Sequence, residues 1–398
     1  MKKMKKLTSL LLVLVMSLAL VIPCFAAKPD TAGSDTYTDP DISAMAASPT
    51  ENTIVDRALE EVTGLYTDVY MISDASAQLM DQSIDEDGNA VYIVETSFKR
   101  TLKAANAMEI PAIAGMVEAK NLLEDPEDIQ AAEEYIAARI ADMEDNYIGV
   151  EQDTNVTLRV TLPAALPMAA SLDDAITPET IEVDCGIGEE EYAPLDGIAP
   201  RSAADQRVTG SELVAEAVSN TSLSTSRATP HNSRILNYNR IAARNYARLF
   251  SCDLGISYDH SSCHNGKYEF FEGNDCANFV SQCLENGGLS TDNLWYPYSS
   301  YWNTTGNSGN GLRQYVTDND LFFKTSNVNK AFAGSIINQL TSSGGNAGHV
   351  GLIDQNDYST VTFCAHTNCR RSKPVSFLSY KNYFVPYYDS YGGTWVNP

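Results

Sequence analysis

The order of apolar and polar residues divides the chain into segments of different kinds. The first is an uncharged apolar run over residues 7–22, which follows four lysines and is followed by small residues up to Ala26. This order is typical of an export signal and predicts a signal peptide over residues 1–26. The run is short and no second long apolar run follows, so we expect no transmembrane segment. The predicted location is secreted, either extracellular or associated with the cell wall.

The next two segments differ in how their apolar residues are spaced. Residues 27–50 are rich in Asp, Ser, Thr, Ala and Pro, which predicts a flexible leader. Residues 51–170 alternate strand-like and helix-like patterns and predict a smaller, acidic α+β accessory domain. The predicted strands are 65–72, 90–94 and 155–162, and the predicted helices are 113–123 and 131–143. This domain has no His and no Cys, so structural, inhibitory and wall-targeting roles all fit it.

The second half of the chain begins with a change in composition. Residues 171–230 are acidic at first and then rich in Ser, Thr and Ala, which predicts a linker. Apolar residues at helical spacing then predict an amphipathic helix over 238–250. Arg240, Arg244 and Arg248 fall on another face of it and are expected to be solvated. Residues 231–398 form the predicted catalytic domain.

Charge is divided unevenly between these regions. The stretch 27–230 contains 40 acidic and 11 basic residues, whereas 231–398 contains 12 of each. A net charge of −25 argues against nucleic acid as a partner, because phosphate binding needs a basic surface. Solubility outside the cell is a sufficient reason for the acidity.

Cysteine and histidine are concentrated in the C-terminal half. Seven of the eight cysteines remain once Cys24 leaves with the predicted signal peptide, and six of them lie between Cys252 and Cys369. Four of the five histidines lie in the same interval. Export permits disulfides, and an odd number leaves at least one thiol without a partner in its own chain. We therefore expect the chemistry of the protein in this region.

One cysteine stands at a predicted helix start. Asp275 is a good N-cap, and Gly287 and Gly288 stop the helix that follows it. Cys276 then lies in the first turn, where free backbone N–H groups and the helix dipole lower a thiol pKa and can serve an oxyanion hole. The same helix also fits a buried structural cysteine, because Cys276 continues an apolar stripe with Phe279. The helix alone leaves both interpretations open.

A histidine downstream favours the nucleophile. His349 begins a predicted strand, and a second strand follows after a short turn. A hairpin centred on 357–358 sets His349 opposite His366, and a register one residue later sets it opposite Asn368. In either register His366 and Asn368 point to the same face of the sheet. We therefore predict His349 as the general base, with His366 or Asn368 orienting its ring.

These motifs resemble the putative amidase domain family, a branch of papain-like cysteine hydrolases found in exported bacterial proteins. The resemblance covers roughly residues 238–388. It depends on Tyr238-Asn239-Arg240, Tyr246-Ala247, Asp275 to Leu284 (DCANFVSQCL), Gly287-Gly288, Trp295, Trp302, His349-Val350 and Ala365-His366-Thr367. It implies an α+β fold of helices on an antiparallel sheet and a catalytic Cys/His pair with a polar third residue, here Cys276, His349 and His366. Two departures, Asn274 and Ser335, affect neighbouring loops but leave the pair intact.

Other constellations are weaker. Cys252, His260, Cys263 and His264 form a tetrahedral zinc set in residue type, but their spacing fits no known finger and a Cys252–Cys263 disulfide is expected instead. A Cys364–Cys369 bridge is an alternative that the sequence leaves open. The aromatic stretch 295–302 fits either a substrate groove or a small core. Neither a Gly-x-Ser-x-Gly elbow nor a His-Glu-x-x-His motif occurs.

The sequence therefore predicts a secreted cysteine amidase or peptidase. It hydrolyses an amide bond through a thioacyl intermediate and needs no cofactor or metal, and peptide of the peptidoglycan type is the expected substrate. The alternative is a non-catalytic, wall-associated binding module that retains the papain-like fold. A pro-region role for the N-terminal domain is a further hypothesis.

Overall fold

Two antiparallel sheets, each covered by helices, make up the described part of the chain. The computed structural model describes residues 49–163, 171–224, 232–252, 263–306, 310–340, 345–377, 381–389 and 394–396. The predicted signal peptide and nearly all of the predicted leader lie outside these residues. The α+β class expected from the sequence is confirmed. Among the described residues, no helix has the length and apolar character needed to cross a membrane.

The first sheet has five strands in the order β1-β2-β3-β4-β5. These are β1 (Tyr70–Ile84), β2 (Ala90–Leu102), β3 (Gln152–Leu162), β4 (Ile181–Asp184) and β5 (Tyr192–Pro194). Helices α1 (Pro49–Gly64), α2 (Pro111–Lys120) and α3 (Pro126–Asn146) share its apolar core. Helix α3 begins where it does because Asp125 accepts the first free N–H groups and Pro126 has none to satisfy. The predicted helices and the predicted strands 90–94 and 155–162 are therefore present, whereas the predicted strand 65–72 is a turn over residues 65–69 and overlaps β1 only from Tyr70 onward.

The predicted linker is different in the structure, because much of it is folded. It contains a short helix, α4 (Leu172–Ala175), strands β4 and β5, and helix α5 (Ala203–Ser224). Helix α5 lies close against α2, since a Cβ at Gly115 would come within 2.2 Å of Arg207 O and one at Gly210 within 2.0 Å of Ala112 O. The small residues that suggest a linker by composition instead allow two helices to approach closely.

The second sheet has six strands in the order β10-β9-β8-β7-β11-β6. These are β6 (Phe322–Thr325), β7 (Ile336–Leu340), β8 (Asn346–Asn356), β9 (Val361–Ala365), β10 (Arg370–Pro374) and β11 (Lys381–Pro386). Helices α6 (Arg240–Leu249), α7 (Cys276–Asn286), α8 (Ser300–Asn303) and α9 (Leu312–Asp318) belong to the same region, and β12 (Tyr388–Asp389) pairs with β13 (Thr394–Trp395). The core of this region includes Phe279 and Val280 of α7 and Val350 and Leu352 of β8, so α7 is packed on the centre of the sheet.

The prediction of a solvated arginine face on α6 is wrong. Arg240 is fully buried and pairs with Asp142 of α3 at 2.8 Å, and Arg244 is also buried. Arg248 pairs with the buried Asp354 of β8. Carboxylates far away in the sequence meet these guanidinium groups, and helical spacing on α6 carries no information about them.

A similar ion pair joins the two sheets. Arg100 of β2 is fully buried, and its guanidinium donates to Gln355 Oε1 at 2.7 Å and lies 3.4 Å from Asp357 Oδ2. Both acceptors belong to the end of β8 and the turn that follows it. Because an unpaired buried guanidinium is costly, this contact fixes the β8–β9 turn against the first sheet.

The β8–β9 hairpin has a bulge that the sequence does not reveal. Asn356 pairs with Val361 next to the turn, which is the later of the two predicted registers. An irregularity between Ile353 and Gln355 then shifts the register by one residue. The described ladder ends at the pair Leu352–Cys364, before His349 is reached. The prediction that strand pairing sets His349 opposite His366 or Asn368 is therefore not met.

Candidate active site

Cys276 is the first residue of α7, as the sequence predicts, and Gly287 ends the helix. Its sulfur lies 3.7 Å from the carbonyl oxygen of Gly348, the residue before His349. The side chain is buried, with 1% of the residue exposed. Helix α7 and strand β8 therefore bring the cysteine to the end of the strand that carries the histidine.

The environment of Cys276 differs from the predicted one in its effect on the pKa. Burial raises the pKa of the thiol above its ordinary value. The backbone N–H groups of Val350 and Ala277 and the side chain of Thr367 act to lower the pKa, but burial outweighs them. The sequence prediction of a lowered pKa considers only the helix start and is wrong for this conformation, because it leaves out desolvation.

His349 lies on β8 with a partly exposed side chain. Its Nε2 is 3.8 Å from Oε1 of Glu189, and its Nδ1 is buried without a hydrogen-bond partner among the described residues. The backbone of Gly188 lies directly against the ring, since a Cβ placed there would be 1.9 Å from Nδ1. The segment that contacts His349 therefore comes from the predicted linker.

His366 has partners of its own. Its Nδ1 lies 2.6 Å from Oδ2 of Asp275, and its Nε2 lies 2.5 Å from the carbonyl oxygen of Phe250. The ring of Phe279 stacks on it at a centroid distance of 4.0 Å. Both ring nitrogens of His366 are thus engaged by groups other than His349.

Asp275 is the residue whose role the sequence analysis misses. It precedes α7, but its carboxylate makes no N-cap hydrogen bond to the helix. Oδ1 instead accepts from the N–H of Phe271 at 3.1 Å and from the side-chain amide of Asn278 at 2.7 Å, while Oδ2 contacts His366. The sequence signal for this contact with His366 is a carboxylate directly before the candidate nucleophile.

Asn368 is close to the same segment as His349. Its side-chain amide donates to the carbonyl oxygen of Gly188. The structure therefore brings Cys276 to the His349 end of β8, joins His349 and Asn368 through Gly188, and places His366 with Asp275.

The cysteines are paired differently from the expected Cys252–Cys263 disulfide. The disulfide joins Cys252 and Cys369, and Cys364 is a buried free thiol. Cys263 lies beside the bond, with the three sulfurs within 4.8 Å of one another. Two of these three sulfurs are joined in the disulfide. His260 of the predicted set lies outside the described residues.

The aromatic stretch divides between the two predicted roles. Trp295 and Trp302 are fully buried, and Trp302 Nε1 donates to Asn278 Oδ1 at 2.8 Å. They form core and support α7. Tyr296 and Tyr298 are exposed.

In this region the helix that carries Cys276 packs on the centre of an antiparallel sheet, and the strand beneath it, β8, carries His349. Residues 237–388 match the family described as the Putative amidase domain. This match confirms the resemblance found in the sequence, and the family description points to hydrolysis of C–N bonds. No curated protein and no solved structure matches the chain.

Proposed function

We propose that the protein is an exported cysteine amidase or peptidase with a papain-like catalytic region and that Cys276 is its nucleophile. The observation that carries the proposal is the position of Cys276 at the start of α7, with its sulfur 3.7 Å from the carbonyl oxygen of Gly348. The next residue is His349. Nucleophilic cysteine catalysis requires an imidazole that takes the proton of the thiol, and we assign this role to His349.

In the proposed reaction His349 takes the proton from the sulfur of Cys276. The thiolate attacks the carbonyl carbon of the substrate amide, and the C–N bond breaks as His349 returns the proton to the leaving amine. Water, activated by the same imidazole, then hydrolyses the thioester, which releases the carboxylic acid and restores the thiol. We assign the stabilisation of the negative charge on the sulfur to the N–H groups of Ala277 and Val350, which lower the pKa of the thiol.

For the third residue we propose Asn368 rather than His366. The ring nitrogens of His366 are engaged by Asp275 and Phe250, so His366 serves to position the start of α7. Asn368 contacts the segment that lies on His349. Its amide can orient the imidazole once that segment moves away.

The proposed substrate is the peptide of the bacterial cell wall. The amidase family and the expected export support this choice. The competing function is a non-catalytic binding module, and the burial and raised pKa of Cys276 are properties that such a module would share.

Mass spectrometry of purified cell wall, after incubation with wild type and with Cys276→Ala, tests the proposal. We expect a new amine or carboxyl end group with the wild type and none with Cys276→Ala. Cys283→Ala is the matched control, because Cys283 is a buried thiol of the same helix. Equal digestion by wild type and Cys276→Ala would overturn the proposed nucleophile, and the absence of digestion by any form that exposes Cys276 would favour the binding module.

A further inference from the structure

The connection between β4 and β5, residues 185–191, is here called the hairpin tip. It is a tight turn, in which the Cys185 N–H donates to the Glu191 carbonyl at 2.8 Å. The carboxylate of Asp184 accepts the N–H groups of Gly186 and Glu191 at 3.0 and 3.1 Å. The turn is therefore held by its own hydrogen bonds and presents a defined surface to the second sheet.

The hairpin tip engages the proposed base and its proposed orienting residue together. Gly188 lies against one edge of the His349 ring, and Glu189 Oε1 is 3.8 Å from the nitrogen on the other edge. The carbonyl of Gly188 also occupies the amide of Asn368. With Cys276 1% exposed, a substrate carbonyl reaches the sulfur only after the covering residues move.

Side chains from the second sheet hold the hairpin tip as they would hold a peptide. Gln339 of β7 accepts the N–H of Ile187 at 3.1 Å and donates to Glu191 Oε2 at 3.0 Å. Lys381 of β11 places its ammonium 2.6 Å from the same carboxylate oxygen. The side chain of Lys381 is only 1% exposed, so its counter-ion comes from the hairpin tip.

A buried ammonium is stable only with a paired anion. When the hairpin tip leaves, Lys381 and Gln339 present a charge and an amide that fit another carboxylate and another peptide unit. The same departure frees His349 and Asn368. Substrate binding and release of the catalytic residues are therefore coupled at one surface.

We propose that Gln339 and Lys381 form the binding site for an acidic peptide substrate, and that the hairpin tip occupies this site as an internal competitor. The inference rests on the proposed function of Cys276 and His349. The substrate has a small residue beside His349, because a side chain at Gly188 has no room there. It also has a carboxylate that reaches Lys381. The wild-type chain is active only in the fraction of molecules whose hairpin tip is displaced.

Charge reversal at Glu191, whose carboxylate pairs with Lys381, tests whether the hairpin tip covers the site. In the full-length Glu191→Lys variant, two ammonium groups face each other and the hairpin tip is expelled. We expect iodoacetamide to label Cys276 more than about tenfold faster than in wild type at neutral pH, because the labelling rate follows the open fraction. Labelling is measured on the peptide that contains Cys276, and circular dichroism establishes that the variant is folded.

Glu190→Lys is the matched control, since Glu190 is exposed and is the neighbour of Glu191 in the sequence. It should label at the wild-type rate. The milder Glu191→Gln removes the charge without repulsion and should give an intermediate rate, which keeps the test valid if Glu191→Lys does not fold. Wild-type labelling rates in both Glu191 variants would overturn the inference.

The substrate class is tested with the chain's own peptide. A synthetic peptide of residues 186–191, added to the Glu191→Lys variant, should slow labelling of Cys276 toward the wild-type rate. The same peptide with Gln in the final position should need about tenfold more, a difference that corresponds to the loss of one charged contact. Equal potency of the two peptides would contradict carboxylate recognition by Lys381.

Hydrolysis separates this inference from the proposed function. Faster labelling of Glu191→Lys supports the hairpin tip as a cover. If Glu191→Lys and Glu191→Lys/Cys276→Ala then digest cell wall equally, the cover is kept and Cys276 is overturned as the nucleophile. Unchanged labelling, together with digestion that depends on Cys276 in the wild-type chain, overturns the cover and supports the proposed function.

Discussion

The carboxylate of Asp275 lies 2.6 Å from Nδ1 of His366, and both side chains are buried. Asp275 is the residue before Cys276, and His366 follows β9 directly. The pair therefore ties the start of α7 to the end of β9 in the second sheet. It sets where the first turn of the helix, and with it the thiol of Cys276, lies relative to β8.

We expect Asp275→Asn to lower the free energy of unfolding by about 1–3 kcal/mol, because it weakens the buried hydrogen bond between the carboxylate and the His366 ring. Urea unfolding followed by circular dichroism measures this. Glu272→Gln is the control, since Glu272 is exposed in the same loop, and should change the value by less than about 0.5 kcal/mol. Similar values for the two variants would show that the pair does not hold the helix start.

Asp142→Ala should also destabilise the protein, by about 3 kcal/mol, because Arg240 is then left buried without its carboxylate. The pair joins α3 of the N-terminal region to α6 of the amidase region, so the loss should appear in one unfolding transition that covers both. Glu134→Gln, an exposed change on the same helix, is the control. A second transition, or a loss confined to one region, would show that the two regions fold independently.

The disulfide between Cys252 and Cys369 closes a loop with a sequence separation of 117 residues. Replacing both cysteines by Ser should lower stability by about 2–5 kcal/mol, since the bond restricts the unfolded chain. The melting temperature with and without dithiothreitol measures the effect. The reductant should lower the melting temperature of wild type and leave that of the double variant unchanged, and equal responses would contradict the pairing.

The raised pKa of Cys276 predicts the pH dependence of its labelling. Burial favours the neutral thiol, so the thiolate fraction at pH 7 is small and the wild-type labelling rate should rise steeply above the ordinary thiol pKa of about 8.5. In Glu191→Lys the desolvation is relieved and His349 is free, so the midpoint should move to lower pH. Superimposable profiles for the two proteins would show that the hairpin tip does not control the thiol.

The local features of the site could be predicted from the sequence. Asp275 marks the predicted start of α7 and Gly287 its end, which places Cys276 in the first turn without any tertiary information. The long-range features could not be predicted. Arg240 meets a carboxylate about a hundred residues away, so helical spacing on α6 alone suggests a solvated charge.

The same limit applies to the hairpin tip and to the third residue. Residues 185–191 are acidic and glycine-rich, which composition alone identifies as linker, and only the fold places them on His349 and Lys381. The bulge next to Asp354 shifts the register by one residue. A count of alternating residues from the turn therefore cannot tell which side chain faces His349.

In the proposed reaction Cys276 carries the acyl group of the substrate as a thioester. The most direct measurement is peptide mapping of the Glu191→Lys variant, quenched with acid during digestion of purified cell wall. We expect an acyl mass on the peptide that contains Cys276 in Glu191→Lys, and neither this mass nor digestion in Glu191→Lys/Cys276→Ala. Digestion that continues in the Cys276→Ala background would contradict it.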